Sequence, residues 1–280
     1  MIHCGGVGIK RDGEEVPRRD EKREQAVEKI GVEVFRQGDM KLIVKAPGMA
    51  EEPLILIVPE TIADAEEVLA DKEVTPSWVE GEGGELSYEW RTEGKVEFSA
   101  KVTPGEDTVD AAYAIRNISS RTFRNLFVFT CLNPGHKPAD APSFREPAVK
   151  GPFIRTGGEF RSIHELPPHK GPRPDINFIM SAEVGLAGVP AAHEPFRDHH
   201  EITADCGFIA SEGGNGYTIG MACGHPLFVF HNREWWCVHA CPNIAELGPG
   251  EEKNALQRIY ITPQGKEEVY KRASREFKFP

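Results

Sequence analysis

The sequence predicts an all-β chain, a large two-sheet antiparallel β-sandwich with long loops and minor short helices. Three observations predict it. In Val96–Val102 and Val109–Ile115, apolar residues fall at every second position: Val96, Phe98, Ala100 and Val102 on one face, Val109, Ala111, Tyr113 and Ile115 on another. That is the period of strands covered on one side. The 280 residues include 28 glycines and 22 prolines, punctuation that suits many short strands and turns better than long helices. A second set of β segments then fills residues 176 to 262, with EGGNG and HNRE as turns between them.

Taken in order, Arg18–Ile30 is charge-rich, with Ala26, Val27 and Ile30 as its apolar members, and reads as a short helix. Lys41–Lys45 and Leu54–Val58 read as strands flanking APGMAEEP. Ile62–Asp71, rich in Ala and Glu, reads as a short helix capped by Thr61. Leu86–Arg91, Val96–Val102 and Val109–Ile115 form a strand series with turns at TEGK and TPGEDT, and Asn125–Leu132 follows the polar bend NISSRT. Residues 134–174 are a Pro/Gly-rich excursion, expected as loops over the end or face of the sandwich. The later strands are Ile176–Ala182, Cys206–Ala210, Tyr217–Cys223, Leu227–His231, Trp235–His239 and Arg258–Thr262. Lys266–Pro280 docks through Phe277 and Phe279 as a last strand or short helix. Neither β-rich half closes alone, so residues 1–280 are expected to form a single domain.

A formal net charge of -11 opposes a polyanion, and no basic stripe interleaved with aromatics offsets it, which argues against nucleic acid as a partner. No apolar run approaches the roughly 18 residues of a membrane span. The N-terminal MIHCGGVGIKRDGEEV has no apolar core of signal-peptide length, so the expectation is a cytoplasmic protein. Its six cysteines, Cys4, Cys131, Cys206, Cys223, Cys237 and Cys241, are too dispersed for a disulfide scaffold and are expected to be mostly reduced and buried.

TPGEDTVDAAYAIRNISSRTFRNLFVFTCLNPG at Thr103–Gly135 and LGPGEEKNALQRIYITPQG at Leu247–Gly265 resemble the large β-sandwich domains of galactose-mutarotase-like proteins and related carbohydrate enzymes. The first is similar to a pair of adjacent strands in that family's ligand-facing sheet, the second to its near-terminal Pro-Gly-Glu turn before a long strand. The resemblance implies a histidine acid and a glutamate base on the concave sheet, and a sugar pocket to which the strand-end Asn133 corresponds.

Three clusters carry candidate chemistry. In Cys223-Gly-His225, His231 and Cys237-Val-His239-Ala-Cys241, the strand period places Trp235, Cys237, His239 and Cys241 on one face. Imidazoles and thiols suit zinc or another transition metal, although Cys237 and Cys241 lack the spacing of a zinc knuckle. Core packing of the thiols beside Trp235 and Trp236 is the competing reading. In His193-Glu-Pro-Phe-Arg-Asp-His199-His200-Glu201, the residues His193, His199, His200 and Asp198 are candidate metal ligands, and Arg197 is a candidate contact for an anionic substrate. Ordinary surface ion pairs are the alternative. In Arg155–Glu165, Arg155 and Arg161 can grip a uronic-acid carboxylate while Glu159 or His164 moves a proton, or the same groups simply tie down a loop.

The functional expectation is a carbohydrate-modifying enzyme of epimerase, mutarotase or lyase type. His225 or His239 is the acid/base group, Glu159 a complementary base, and Arg155, Arg161, His164, Trp236, Asn133 and Arg197 are substrate contacts. The ligand is a neutral or acidic mono- or oligosaccharide, with a divalent metal as a candidate cofactor. The rival is a noncatalytic carbohydrate-binding or assembly domain, which needs aromatic contacts but no pair of titratable groups. Exposed edge strands would serve a homo-oligomer.

Overall fold

The computed structural model describes residues 31–49, 51–71, 74–134, 141–167, 173, 175–185 and 199–280. Within it Gly31–Pro280 forms one compact unit. The helix expected over Arg18–Ile30 lies outside the described residues, as do Cys4, His193, Arg197 and Asp198.

Among the described residues, seventeen strands make two antiparallel sheets. The chain begins with β1 (Glu33–Arg36), β2 (Lys41–Lys45), β3 (Leu54–Ala63) and β4 (Val68–Ala70) in the first sheet. It crosses to the second for β5 (Val79–Glu80), β6 (Leu86–Thr92), β7 (Val96–Pro104) and β8 (Thr108–Asn117). It then alternates: β9 (Phe123–Asn133) in the first, β10 (Lys150–Thr156) and β11 (Glu159–Ser162) in the second, β12 (Ile176–Met180) in the first, β13 (Gly207–Glu212) and β14 (Thr218–Cys223) in the second. β15 (Pro226–Asn232) and β16 (Cys237–Leu247) return to the first, and β17 (Glu252–Thr262) to the second. The first sheet runs β1-β2-β3-β9-β16-β15-β12, with β4 beside β3. The second runs β11-β10-β13-β14-β17-β8-β7-β6-β5. Because consecutive segments keep changing sheet, neither half of the chain holds a complete layer.

The main core lies between the sheets. Leu54, Leu56 and Val58 of β3, Leu126, Val128 and Leu132 of β9, and Val238 and Ala240 of β16 face Val109, Ala111, Tyr113 and Ile115 of β8. The opposite faces are also apolar. On the second sheet α1 (Lys266–Phe277) lays Val269 and Ala273 over Phe208, Ala210, Ala222 and Tyr260. On the first sheet Phe127, Cys131, Phe178, Phe228, Phe230, Cys237 and Cys241 form a cluster of their own. Central strands therefore read as nearly continuous apolar runs, as burial on both sides requires.

Two local expectations are corrected. Ile62–Asp71 is not a helix: Ile62 and Ala63 finish β3, and Asp64 turns the chain by accepting from the backbone N–H groups of Glu66 at 3.1 Å and Glu67 at 2.9 Å. The Ala and Glu content suits a helix, but Ile62 and Ala63 are held by pairing with Val128 and Phe127. The 134–174 excursion contains the β10–β11 hairpin, whose strands extend the second sheet; Gly157 and Gly158 turn it with φ of 61° and 82°. The tail takes the helical of its two alternatives.

Candidate active site

A cavity of about 570 Å3 opens on the outer face of the first sheet, above β3, β9, β16, β15 and β12. Its walls are aromatic: Phe127 and Phe129 from β9, Phe178 from β12 and Phe230 from β15, with Trp235 at the rim, 45% exposed. Lys41, Thr61, Asn133 and Asn232 add polar groups. Asn232 Oδ1 accepts from the backbone N–H of Glu234 at 2.9 Å and of Trp235 at 3.4 Å, which fixes the turn that presents the indole.

Strand register assembles the floor. Val238 of β16 pairs with Leu132 of β9, which sets His239 opposite Cys131 and Cys237 opposite Asn133, all on the outer face. On the other side of β9, Ile57 pairs with Cys131 and Thr61 with Phe129, so four positions of β3 span two of β9. This bulge breaks the strict alternation and lets consecutive residues Glu60 and Thr61 both line the cavity.

The floor residues are held in defined states. His239 Nδ1 lies 2.9 Å from the carbonyl oxygen of Thr130, an acceptor only, so Nδ1 carries a proton and donates it there. Nε2 is 3.1 Å from Cys237 Sγ. The imidazole stacks on Phe129, with ring centroids 4.1 Å apart, and meets Phe230 in a T-shaped contact at 4.8 Å. Cys131 donates to Cys237; that bond and burial keep Cys131 protonated, while the same bond draws Cys237 below an ordinary thiol against the opposing effect of burial. Burial pushes the Glu60 carboxyl above the usual carboxylate value, opposed by the nearby His239. Glu60 Oε2 and Asn133 Oδ1 are buried without hydrogen-bond partners. Two such orphans in one cavity mark a surface shaped for something that supplies donors.

Of the residues singled out from sequence, the cavity gathers Asn133, Trp235, Cys237 and His239. His225 lies in the turn between β14 and β15, exposed, with Nδ1 3.1 Å from Glu183 Oε1. Glu159 and Arg161 are exposed on the edge strand β11. Arg155 stacks its guanidinium on Phe160 and Tyr270. His164 is paired with His231 at 3.1 Å between Nε2 atoms, with Trp236 edge-on to both rings. Trp236 is buried, and its φ of 53° lets it turn inward while Trp235 turns out. His199 bridges to Phe178 through its backbone, and His200 Nε2 meets Asn177 Oδ1 at 3.0 Å. Glu60 and Cys131 are the floor residues that sequence reasoning missed. The available signal was a lone carboxylate closing the apolar run LILIVPE, and Cys131 two positions before the strand-end Asn133. A second hollow of about 430 Å3 beside Trp90 and Arg116 presents neither imidazole nor thiol.

No family model and no curated protein matches the chain. Among solved structures it is similar to a protein from Synechocystis sp. PCC 6803, at 7% identity over 83% of this chain and 96% of that one, with a TM-score of 0.47. A putative aldose 1-epimerase from Escherichia coli K12 aligns at 11% identity over 82% and 98% of the two chains, TM-score 0.40. A galactose mutarotase-like protein from Lactobacillus casei ATCC 334 aligns at 9% identity over 83% and 100%, TM-score 0.42. The last two carry names from the family that the strand patterns resemble.

Proposed function

We propose that this protein is a carbohydrate-modifying enzyme whose acid/base chemistry is carried by Glu60 and His239. The observation that carries the proposal is their convergence on the floor of one aromatic-walled cavity, where Glu60 Oε2 is buried and unpartnered. A sugar ring places C–H edges on Trp235, Phe230 and Phe178 and offers hydroxyl donors to Glu60 and Asn133. The strand-pattern resemblance supplies the substrate class.

In the epimerase or mutarotase form, Glu60 takes the proton of the anomeric hydroxyl while protonated His239 gives one to the ring oxygen. The ring C–O bond opens to the aldehyde, and closure on the other face returns both protons. In the lyase form, one of the pair removes the proton beside a uronic-acid carboxylate, a C=C bond forms as the C–O bond breaks, and the other of the pair protonates the leaving oxygen, with Lys41 of the cavity facing the acid group.

Anomeric exchange of neutral aldoses followed by NMR, and formation of unsaturated product from acidic oligosaccharides, test the two forms. Glu60→Gln and His239→Ala should each lose roughly 100- to 10,000-fold in turnover. Sugar binding without turnover in both assays would favour the noncatalytic binding domain.

A further inference from the structure

We infer that Cys131, Cys237 and His239 form a binding site for a single zinc-class transition-metal ion on the cavity floor. Their donor atoms all lie within 4.8 Å of one another, and all three side chains are buried. Two sulfurs and an imidazole nitrogen suit zinc, cobalt or copper and are poor ligands for calcium or magnesium. Two thiolates balance a divalent charge, and the neutral imidazole adds none.

The surroundings prepare these donors for a metal. The bond from His239 Nδ1–H to the Thr130 carbonyl is the contact that fixes a metal-binding imidazole and aims Nε2. That carbonyl belongs to a residue tied down beneath the sheet: the Thr130 hydroxyl accepts from Tyr113 and donates to Gln257 Oε1, and Gln257 Nε2 donates to the Ala240 carbonyl at 2.6 Å. Phe129 stacks on one face of the imidazole and Phe230 meets it edge-on. Cys237 and His239 are two apart on β16, and Cys131 sits directly opposite on β9, so paired strands rather than a loop set the donor spacing. Thiols packed only as core residues require none of this.

Three protein donors, one fewer than a closed tetrahedral zinc site uses, match the ligand count of a catalytic rather than a structural site. Glu60, whose Oε2 is buried without a partner, lines the same cavity. The inference shares the cavity with the function proposed above. A bound ion and a proton exclude each other on His239 Nε2, so an ion held by Cys131, Cys237 and His239 would supply Lewis-acid chemistry there and leave Glu60 as the group that moves a proton.

The full chain, reduced and stripped with EDTA, is titrated with Co2+ and then with Zn2+. One equivalent of Co2+ should bind, with near-ultraviolet thiolate-to-metal absorption and intense visible bands of a tetrahedral site, and Zn2+ should displace it. Cys131→Ser, Cys237→Ser and His239→Ala should each weaken binding by more than the roughly 10- to 100-fold that loss of an outer partner costs; Cys206→Ser should not. Should those variants unfold, the wild-type protein serves: Zn2+ should protect Cys131 and Cys237, but not Cys206, from alkylation. No stoichiometric cobalt band, a band that survives in the Cys131→Ser/Cys237→Ser double variant, equal alkylation with and without Zn2+, or a native Cys131–Cys237 disulfide would each overturn the site. Cobalt binding without sugar turnover upholds the site and removes the carbohydrate reading. Full turnover by the stripped protein with no cobalt uptake does the reverse.

Discussion

Glu60 keeps a buried carboxylate oxygen without a partner, an arrangement that costs of the order of 1–3 kcal/mol or more. A site that needs the carboxylate accepts that cost, and an apolar replacement removes it. Glu60→Met should therefore raise stability by about 1 kcal/mol while abolishing turnover, with the urea midpoint reading the first and the sugar assay the second. His231 shows the opposite economy, a titratable group kept neutral for structure. Its Nδ1–H donates to the Cys237 carbonyl at 3.0 Å, and its Nε2 meets His164. Burial first, then the neighbouring His164, pushes its pKa down to about 3, from 6.5 in the unfolded chain. At pH above 6.5 both states are neutral and this contribution is fully present. As pH falls from 6.5 towards 3 the unfolded chain takes up a proton that the folded chain refuses, so stability is lost. Wild-type protein should lose stability by up to about 1.4 kcal/mol per pH unit more than His231→Gln across that window, measured by denaturation at several pH values.

At the scale of the element, pairing dominates composition. Gly207 begins β13 opposite Cys223 of β14, and a Cβ added there would lie 2.5 Å from the Cys223 carbonyl oxygen and 2.9 Å from its sulfur. Gly207→Ala should therefore cost about 1–3 kcal/mol, visible as a lower midpoint without a change in the cavity's ligand preference. The β3 bulge illustrates the same rule in the service of the site. Without the extra residues between Ile57 and Thr61, strict alternation would send Glu60 and Thr61 to opposite faces of the sheet.

Across the whole molecule, the two sheets are joined beneath the floor by the buried chain Tyr113–Thr130–Gln257–Ala240, which links β8 and β17 of one sheet to β9 and β16 of the other. Gln257→Leu would leave the Ala240 carbonyl without this donor, at a cost of about 1–3 kcal/mol. It would also loosen Thr130, whose carbonyl aims His239, so thermal melting and cobalt affinity should fall together. Because the chain changes sheet repeatedly, tryptophan fluorescence and far-ultraviolet circular dichroism should report one coincident unfolding transition for Gly31–Pro280.

Local periodicity was enough to read the strands of Val96–Val102 and Val109–Ile115, the all-β class, and the shared face of Cys237 and His239, because a side chain's face follows from counting along its own strand. Ile62–Asp71 misread because helix-forming composition was overridden by pairing with β9. The β10–β11 hairpin was hidden by the prolines and glycines that surround it. The floor was out of reach for a related reason: Glu60, Cys131 and His239 lie on three strands far apart in the chain, and periodicity carries no information about which strands become neighbours. The sequence by itself determined a two-sheet β architecture and the chemistry of individual side chains. Only the tertiary structure decided which of them meet, because inter-strand register and the β3 bulge are set by non-local pairing and by packing of both sheet faces.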